Sequence, residues 1–199
     1  MDAAVFWTVL PAGASATARF VVFVIASAGF VRLSWRPLKD WHSHGFYRFF
    51  AFELLTALIL LNLPMWFRDP VSARQLTSWF LGAVSIALAV EGFRLLCVIG
   101  RPSSSAARGS TLGLENTTTL VTVGAYRFIR HPLYASLLAF VWCAYLKNPF
   151  VPSRVLLALG ASGFLVATAL VEERENLAHF GAAYADYMRR TKRFIPFVF

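Results

Sequence analysis

Five long apolar runs, each closed by a short polar or turn-rich stretch, divide this chain at about residues 18–35, 49–67, 76–99, 133–146 and 152–171. Most approach the ~20 residues an α-helix needs to cross a bilayer, and the fourth is short. Pro64, near the end of the second run, predicts a kink or a stop. Asn148-Pro149 predicts a tight turn, and hence an antiparallel hairpin, between the last two. The first run lacks the basic start and the cleavage site of a signal peptide, since Asp2 is the only charge before Arg19, and it reads as a mature helix. Residues 101–110 are small, polar and turn-rich and predict a mobile cytosolic loop. Thr117 to Val123 is β-branched and reads as extended up to Gly124. From Glu172 onward acids come first and bases last, with Leu177, Phe180, Tyr184 and Tyr187 at three- or four-residue spacing. That order predicts a cytosolic amphipathic helix packed back on the membrane domain. No internal repeat is present. The fold expected is all-α: a polytopic membrane helical bundle of about five transmembrane helices with a cytosolic C-terminal amphipathic helix. It forms a single domain over 1–199, with membrane helices over 18–100, a cytosolic loop over 101–123 and a C-terminal core over 124–199.

Composition supports the membrane assignment: 58% of residues are hydrophobic, only 15% are charged, and the mean hydropathy is +0.60. The net charge of +9 does not point to nucleic acid, because no basic run is interleaved with aromatics on a polar surface. It reads as a positive-inside signal plus attraction to anionic lipid headgroups: the pattern of spans puts 14 of the 19 Lys and Arg on one side and 5 on the other. The richer side is expected in the cytosol, which places the N-terminus outside and the C-terminus inside. Cys97 and Cys143 both lie in apolar runs and read as buried free thiols, not as a disulfide or a zinc site. The triplet Asn116-Thr117-Thr118 matches a glycosylation acceptor but falls on the expected cytosolic side. No P-loop or G-x-G-x-x-G is present.

Two polar clusters interrupt the apolar pattern. In Arg130-His131-Pro132, the proline suits the first position of a helix, so Arg130 and His131 precede the helix where its first N–H groups point. That is a ready site for a carboxylate or phosphate, with Tyr134 able to add a hydroxyl; equally, the two cations can be interfacial anchors for lipid headgroups. The pair Glu172-Glu173 can accept hydrogen bonds from an ammonium or a ribose, or act as a base; the alternative is a solvated helix N-terminus favoured by its dipole. Glu53 and Glu91 lie within apolar segments, with function and packing both open, and Arg94 stands one turn from Glu91. His42, His44 and His179 read as interfacial, since no His, Cys and Asp set has zinc-ligand spacing.

These clusters occur in an ordered series: Leu120-Val121, Gly124, Tyr126, Arg130-His131-Pro132-x-Tyr134, Asn148-Pro149, Glu172-Glu173, Phe180-Gly181, Tyr184-x-x-Tyr187 and Phe194-Ile195-Pro196. From about Thr118 to Pro196 the chain resembles the isoprenylcysteine carboxyl methyltransferase family of integral membrane methyltransferases, which is related to the phospholipid methyltransferases. The resemblance implies S-adenosyl-L-methionine as cofactor. It implies contacts from Thr118, Thr119, Leu120 and Val121, partly through the backbone, and from Tyr126, His131, Pro132, Leu133, Tyr134 and Glu172. Glu172, Glu173 and Arg130 are then the candidate catalytic residues, and no metal is required. The implied setting is a bacterial inner membrane, with the cofactor entering from the cytosol and a lipophilic acceptor entering sideways from the bilayer.

The chain also departs from the family. Thr168 stands where the prenylcysteine enzymes place an arginine for the substrate carboxylate. This disfavours carboxyl methylation of a prenylated cysteine and makes Thr168 the candidate contact to another acceptor, through oxygen, nitrogen or sulfur. Two other classes compete: a membrane NADPH-dependent reductase of sterol-reductase-like architecture, with Arg127 and Arg130 on the cofactor phosphates, and a non-catalytic membrane scaffold.

Overall fold

A computed structural model of the protein describes residues 15–100 and 118–198. The loop expected over 101–110 and the Asn116 triplet lie wholly or mainly outside the described residues. The described residues form six α-helices: α1 (Ala16–Leu33), α2 (His44–Asn62), α3 (Ala73–Val98), α4 (Pro132–Leu146), α5 (Pro152–Phe180) and α6 (Ala182–Arg190). Short 3-10 turns occupy Pro37–Lys39, Leu63–Met65 and Gly124–Arg127. The helices α1, α2, α3 and α5 are long and apolar enough to cross a membrane, and α4 is a shorter apolar helix. The molecule is thus a polytopic helical bundle, as the apolar runs predict.

Local chemistry sets the helix starts. Ser15, Ser43 and Ser72 cap α1, α2 and α3 by accepting backbone N–H bonds from Ala18, Gly45 and Gln75. Pro132 and Pro152 stand at the first positions of α4 and α5, where a missing N–H costs nothing. The α-helix α2 stops at Asn62, and Pro64 sits in the 3-10 turn beyond it.

The outer surface is oily: Phe20, Ile25, Phe80, Ile86 and Leu156 are each about two-thirds exposed. In a bilayer these side chains face lipid, so the bundle must be held by packing and polar contacts, not by expulsion of water. The most extensive helix pairings are α3 with α4 and α2 with α5. Small residues permit both. On α3, Ser78, Gly82, Ser85 and Gly92 follow helical spacing. A Cβ at Gly82 would lie 3.3 Å from Cys143 Sγ, and one at Gly92 would lie 3.1 Å from a Leu133 methyl. Ser78 Oγ donates to the Cys143 carbonyl at 2.8 Å. On α5, Ala158, Ala161, Leu165 and Ala169 are fully buried against α2 and its neighbours. By contrast, α1 has no buried residue and packs chiefly on α2, where Ser27 Oγ donates to Glu53 Oε2 at 2.6 Å.

The last segment differs from expectation. Glu172 does not begin a new helix: α5 runs on for 29 residues to Phe180. At 1.5 Å per residue this is about 43 Å, well beyond the ~30 Å hydrocarbon core, so its final turns project past the membrane. Nothing at Val171-Glu172 breaks a helix. The break falls at Gly181, whose φ of +56° and ψ of −130° are open to glycine alone. The amphipathic helix proper is the nine-residue α6.

The two ends of the bundle carry different polar groups. At the end holding the α4–α5 turn, Lys147 is buried, with Nζ 2.9 Å from Gln75 Oε1 and 3.3 Å from the centre of the Trp79 ring. Arg74 donates to the Leu146 and Lys147 carbonyls there. At the other end, residues 192 and 193 run parallel to 128–131, with Arg130 N–H donating to the Lys192 carbonyl and His131 N–H to the Arg193 carbonyl.

Candidate active site

That pairing draws both polar clusters of the sequence to one end of the bundle. A cleft forms between the end of α3, the 120–134 segment, the last turns of α5 and the inner face of α6. Leu120, Val121, Tyr126, Arg130, His131, Leu133, Tyr134 and Glu172, all expected from the sequence, line it. Thr118, Thr119, Pro132 and Glu173 are near in sequence but are not among the lining residues. Thr118 and Thr119 donate their backbone N–H groups to the Gly100 carbonyl, beyond the end of α3.

Glu172 and Glu173 are separated by their environments. Glu172 Oε2 accepts a 2.5 Å hydrogen bond from Tyr134 Oη and faces the cleft. Glu173 is buried, 4% exposed, inside a cluster of cations. Its Oε1 accepts from Arg130 Nε at 2.8 Å and Arg193 Nε at 3.1 Å, and its Oε2 from an Arg193 terminal nitrogen at 2.8 Å. Arg130 also donates to the Thr191 and Met188 carbonyls. The expected picture of Arg130 as an open anion site and Glu173 as a base therefore gives way to an ion-pair cluster that ties α5 to the 128–131 and 188–193 segments. The alternative of a solvated helix start for the two glutamates falls as well, because both lie inside α5.

His131 is 4% exposed, and its ring stacks on Tyr134 with centroids 5.5 Å apart. Its Nε2 is buried without a hydrogen bond, 3.4 Å from Glu173 Oε1. Thr168 is a second correction. It is fully buried, its Oγ1 donates to the Phe164 carbonyl one turn back at 2.7 Å, and it does not line the cleft.

The cleft also holds residues that the sequence did not single out as site residues. Asn176 and Phe180 follow Glu172 at four-residue intervals, and therefore on one helical face; reading α5 as continuous to Phe180 would have exposed them. Leu96 closes the α3 side, and Tyr184 and Tyr187 close the α6 side. Tyr187 Oη donates to the Tyr126 carbonyl at 2.6 Å. Burial pushes the phenols of Tyr126, Tyr184 and Tyr187 well above their ordinary range, so all three remain protonated donors. Beneath the cleft, His44 is buried, not interfacial. Its N–H and Nδ1 both meet the Glu175 carboxylate, at 3.1 and 2.6 Å, which fastens the start of α2 to α5. Arg48, one turn further on, is 3% exposed and close enough to act on the charge of Glu172.

Fold and cleft together define a polytopic helical membrane protein with a carboxylate-bearing, aromatic-walled site at one end of its bundle. Comparison with known proteins adds a chemical class. The chain is 27% identical to methanethiol S-methyltransferase 2 of Bradyrhizobium diazoefficiens, over 75% of its own length and 60% of that protein. It is 34% identical to methanethiol S-methyltransferase of Mycobacterium tuberculosis, over 36% of its own length and 28% of that protein. The chain therefore spans less than two-thirds of the curated relatives it matches. No family model and no solved structure matches it.

Proposed function

We propose that this chain is an integral membrane methyltransferase that takes a methyl group from S-adenosylmethionine and passes it to the sulfur of a small lipid-soluble thiol. The observation that carries the proposal is Glu172, a carboxylate held by Tyr134 in an aromatic cleft at one end of the bundle. Similarity to two methanethiol S-methyltransferases supports the reaction class and favours sulfur as the acceptor atom.

The residues present suit this cofactor. Glu172 would take its ammonium or ribose hydroxyls, and His131, which lines the cleft beside Glu173, would take its carboxylate. Tyr126, Phe180 and Tyr184 offer ring faces and hydroxyls for the adenosine, beside the backbone of Leu120 and Val121. When bound, the cofactor supplies an electrophilic methyl on a sulfonium, whose departure needs no acid. The protein's work is then to align the acceptor and to exclude water. A thiolate is the reactive form of a thiol and needs no base once formed. For a thiol that arrives protonated, Glu172 retains Oε1 as a proton acceptor while Oε2 is held by Tyr134.

An apolar hollow supports a membrane route for the acceptor. It is lined by Ile129, Ala135, Trp142, Phe194 and Ile195, and its Phe194 ring meets the ring of His131 at 6.1 Å.

The test uses detergent-purified protein, methyl-labelled S-adenosylmethionine and a series of alkanethiols, with N-acetyl-farnesylcysteine as the carboxylate control. Binding of the cofactor but not of NADPH is expected by calorimetry, with label appearing on the thiols and not on the control. Absence of cofactor binding would end the proposal, and label on the farnesylcysteine carboxylate would overturn the choice of acceptor.

A further inference from the structure

We propose that Glu91 is a positioning residue: its carboxylate holds the Gly124–Arg127 turn in place, and through that turn it sets Tyr126 and Val121 in the cofactor cleft. The inference rests on the cofactor reading above and extends it to a residue that does not line the cleft.

Glu91 lies two turns from the end of α3, in a helix apolar enough to span the membrane. A carboxylate in such a segment is costly unless it is matched by donors. Its neighbour Arg94 invites the reading of a simple local ion pair. The structure instead gives Glu91 Oε1 the backbone N–H of Ala125, at 3.1 Å and 34 residues away. The approach is close enough to dictate the sequence of the turn. Gly124 has φ +60°, and a Cβ there would lie 2.5 Å from Glu91 Oε1 and 2.7 Å from a Leu95 methyl. Only glycine accepts both that backbone conformation and that contact.

The turn so held feeds directly into the site. Tyr126 is buried in a small cluster with Leu95 and Val121, and both Tyr126 and Val121 line the cleft. On its far side the same turn is held by Tyr187, whose hydroxyl donates to the Tyr126 carbonyl. The turn is therefore held to α3 through the Ala125 N–H and to α6 through the Tyr126 carbonyl. Removing the α3 anchor frees the turn to move within its loop while the Glu172 side of the cleft stays as it is. The effect falls on cofactor affinity and not on the methyl-transfer step.

The experiment compares Glu91→Gln, which keeps an acceptor oxygen at the same reach, with Glu91→Leu, which removes it. Each is measured by steady-state kinetics with S-adenosylmethionine varied. Glu91→Leu is expected to raise KM for the cofactor about tenfold with kcat within about twofold, as loss of one charge-assisted hydrogen bond implies. Glu91→Gln is expected to stay within about threefold of wild type. An unchanged KM in Glu91→Leu, a fall in kcat at constant KM, or equal damage from both variants would each overturn the proposal. Gly124→Ala, which pushes the carboxylate off the turn, provides a second route should Glu91→Leu not fold, and the same rise in KM is expected. Amide hydrogen exchange at Ala125 in the ligand-free protein reads the contact without any cofactor. Faster exchange in Glu91→Leu supports the anchor and unchanged exchange removes it. Should wild type bind no S-adenosylmethionine, the proposed function fails while this exchange result still reports on Glu91.

Discussion

At the scale of single residues, the adjacent pair Glu172-Glu173 shows how one helix gives neighbouring side chains opposite tasks. Successive residues on an α-helix point about 100° apart, so two adjacent carboxylates do not face one ligand. Glu172 faces the cleft with Tyr134, and Glu173 faces Arg130 and Arg193. Glu172→Ala and His131→Ala are each expected to weaken S-adenosylmethionine binding with the fold retained, by about 1.5–3 kcal/mol or roughly ten- to a hundredfold, as read by calorimetry. Glu173→Ala is expected to act on the fold. Breaking a buried ion pair leaves uncompensated charge and costs about 3–5 kcal/mol, visible as a lowered unfolding midpoint. If Glu173→Ala kept its stability and lost only cofactor affinity, the two glutamates would have to exchange roles. The sequence displays the pair plainly, yet nothing in it says which member faces inward, because the cations that claim Glu173 come from segments 43 residues before it and 20 after.

Among the elements, Gly181 decides the most. It ends α5 and turns α6 back so that Tyr184 and Tyr187 close the cleft. No atom lies within 4 Å of a Cβ built at this glycine, so a small side chain has room. The backbone conformation alone resists it. Gly181→Ala should therefore cost about 1–3 kcal/mol by strain and loosen α6, which limited proteolysis near residues 182–190 would detect. Equal protease resistance in mutant and wild type would show that the break does not depend on glycine. The helix starts have local causes, with Ser43 and Ser72 as caps and Pro132 and Pro152 at first positions, though the apolar runs alone place the second and third starts a few residues late. The end of α5 is the harder boundary, because the change from apolar to polar at Val171-Glu172 marks where the helix leaves the apolar layer and not where it stops.

For the whole molecule, the described polar clusters fall at opposite ends of the bundle, with Glu91, Arg130, His131 and Glu172 gathered at one and Arg74, Gln75 and Lys147 at the other. Combined with the excess of Lys and Arg on the cleft side, this leads us to expect the cleft in the cytosol and the α4–α5 turn outside. Cysteines placed at exposed Phe150 and Lys192 test it by labelling intact cells with an impermeant thiol reagent, on a background lacking Cys97, which is exposed and not buried as its apolar run suggests. Label at position 150 and not at 192 is expected; the reverse pattern would invert the molecule.

Sequence by itself determined the fold class of this protein. Apolar runs of membrane length and their positive-charge bias reflect local physics: helix hydrogen bonding within a segment, the water-to-lipid transfer of each side chain, and chain-local turn chemistry. The all-helical bundle was legible on that basis, as were Arg130, His131, Tyr134 and Glu172 by their own chemistry; Leu120, Val121, Tyr126 and Leu133 were expected only through the family resemblance. Tertiary structure alone decided which polar groups meet. The union of Arg130 and Arg193 on Glu173, the His44–Glu175 clasp, the withdrawal of Thr168 into its own helix and the hold of Glu91 on Ala125 all depend on how helices rotate and approach one another. That rotation is set by small residues such as Gly82, Gly92 and Ala161, whose contribution is close packing across a three-dimensional interface and not a signal along the chain.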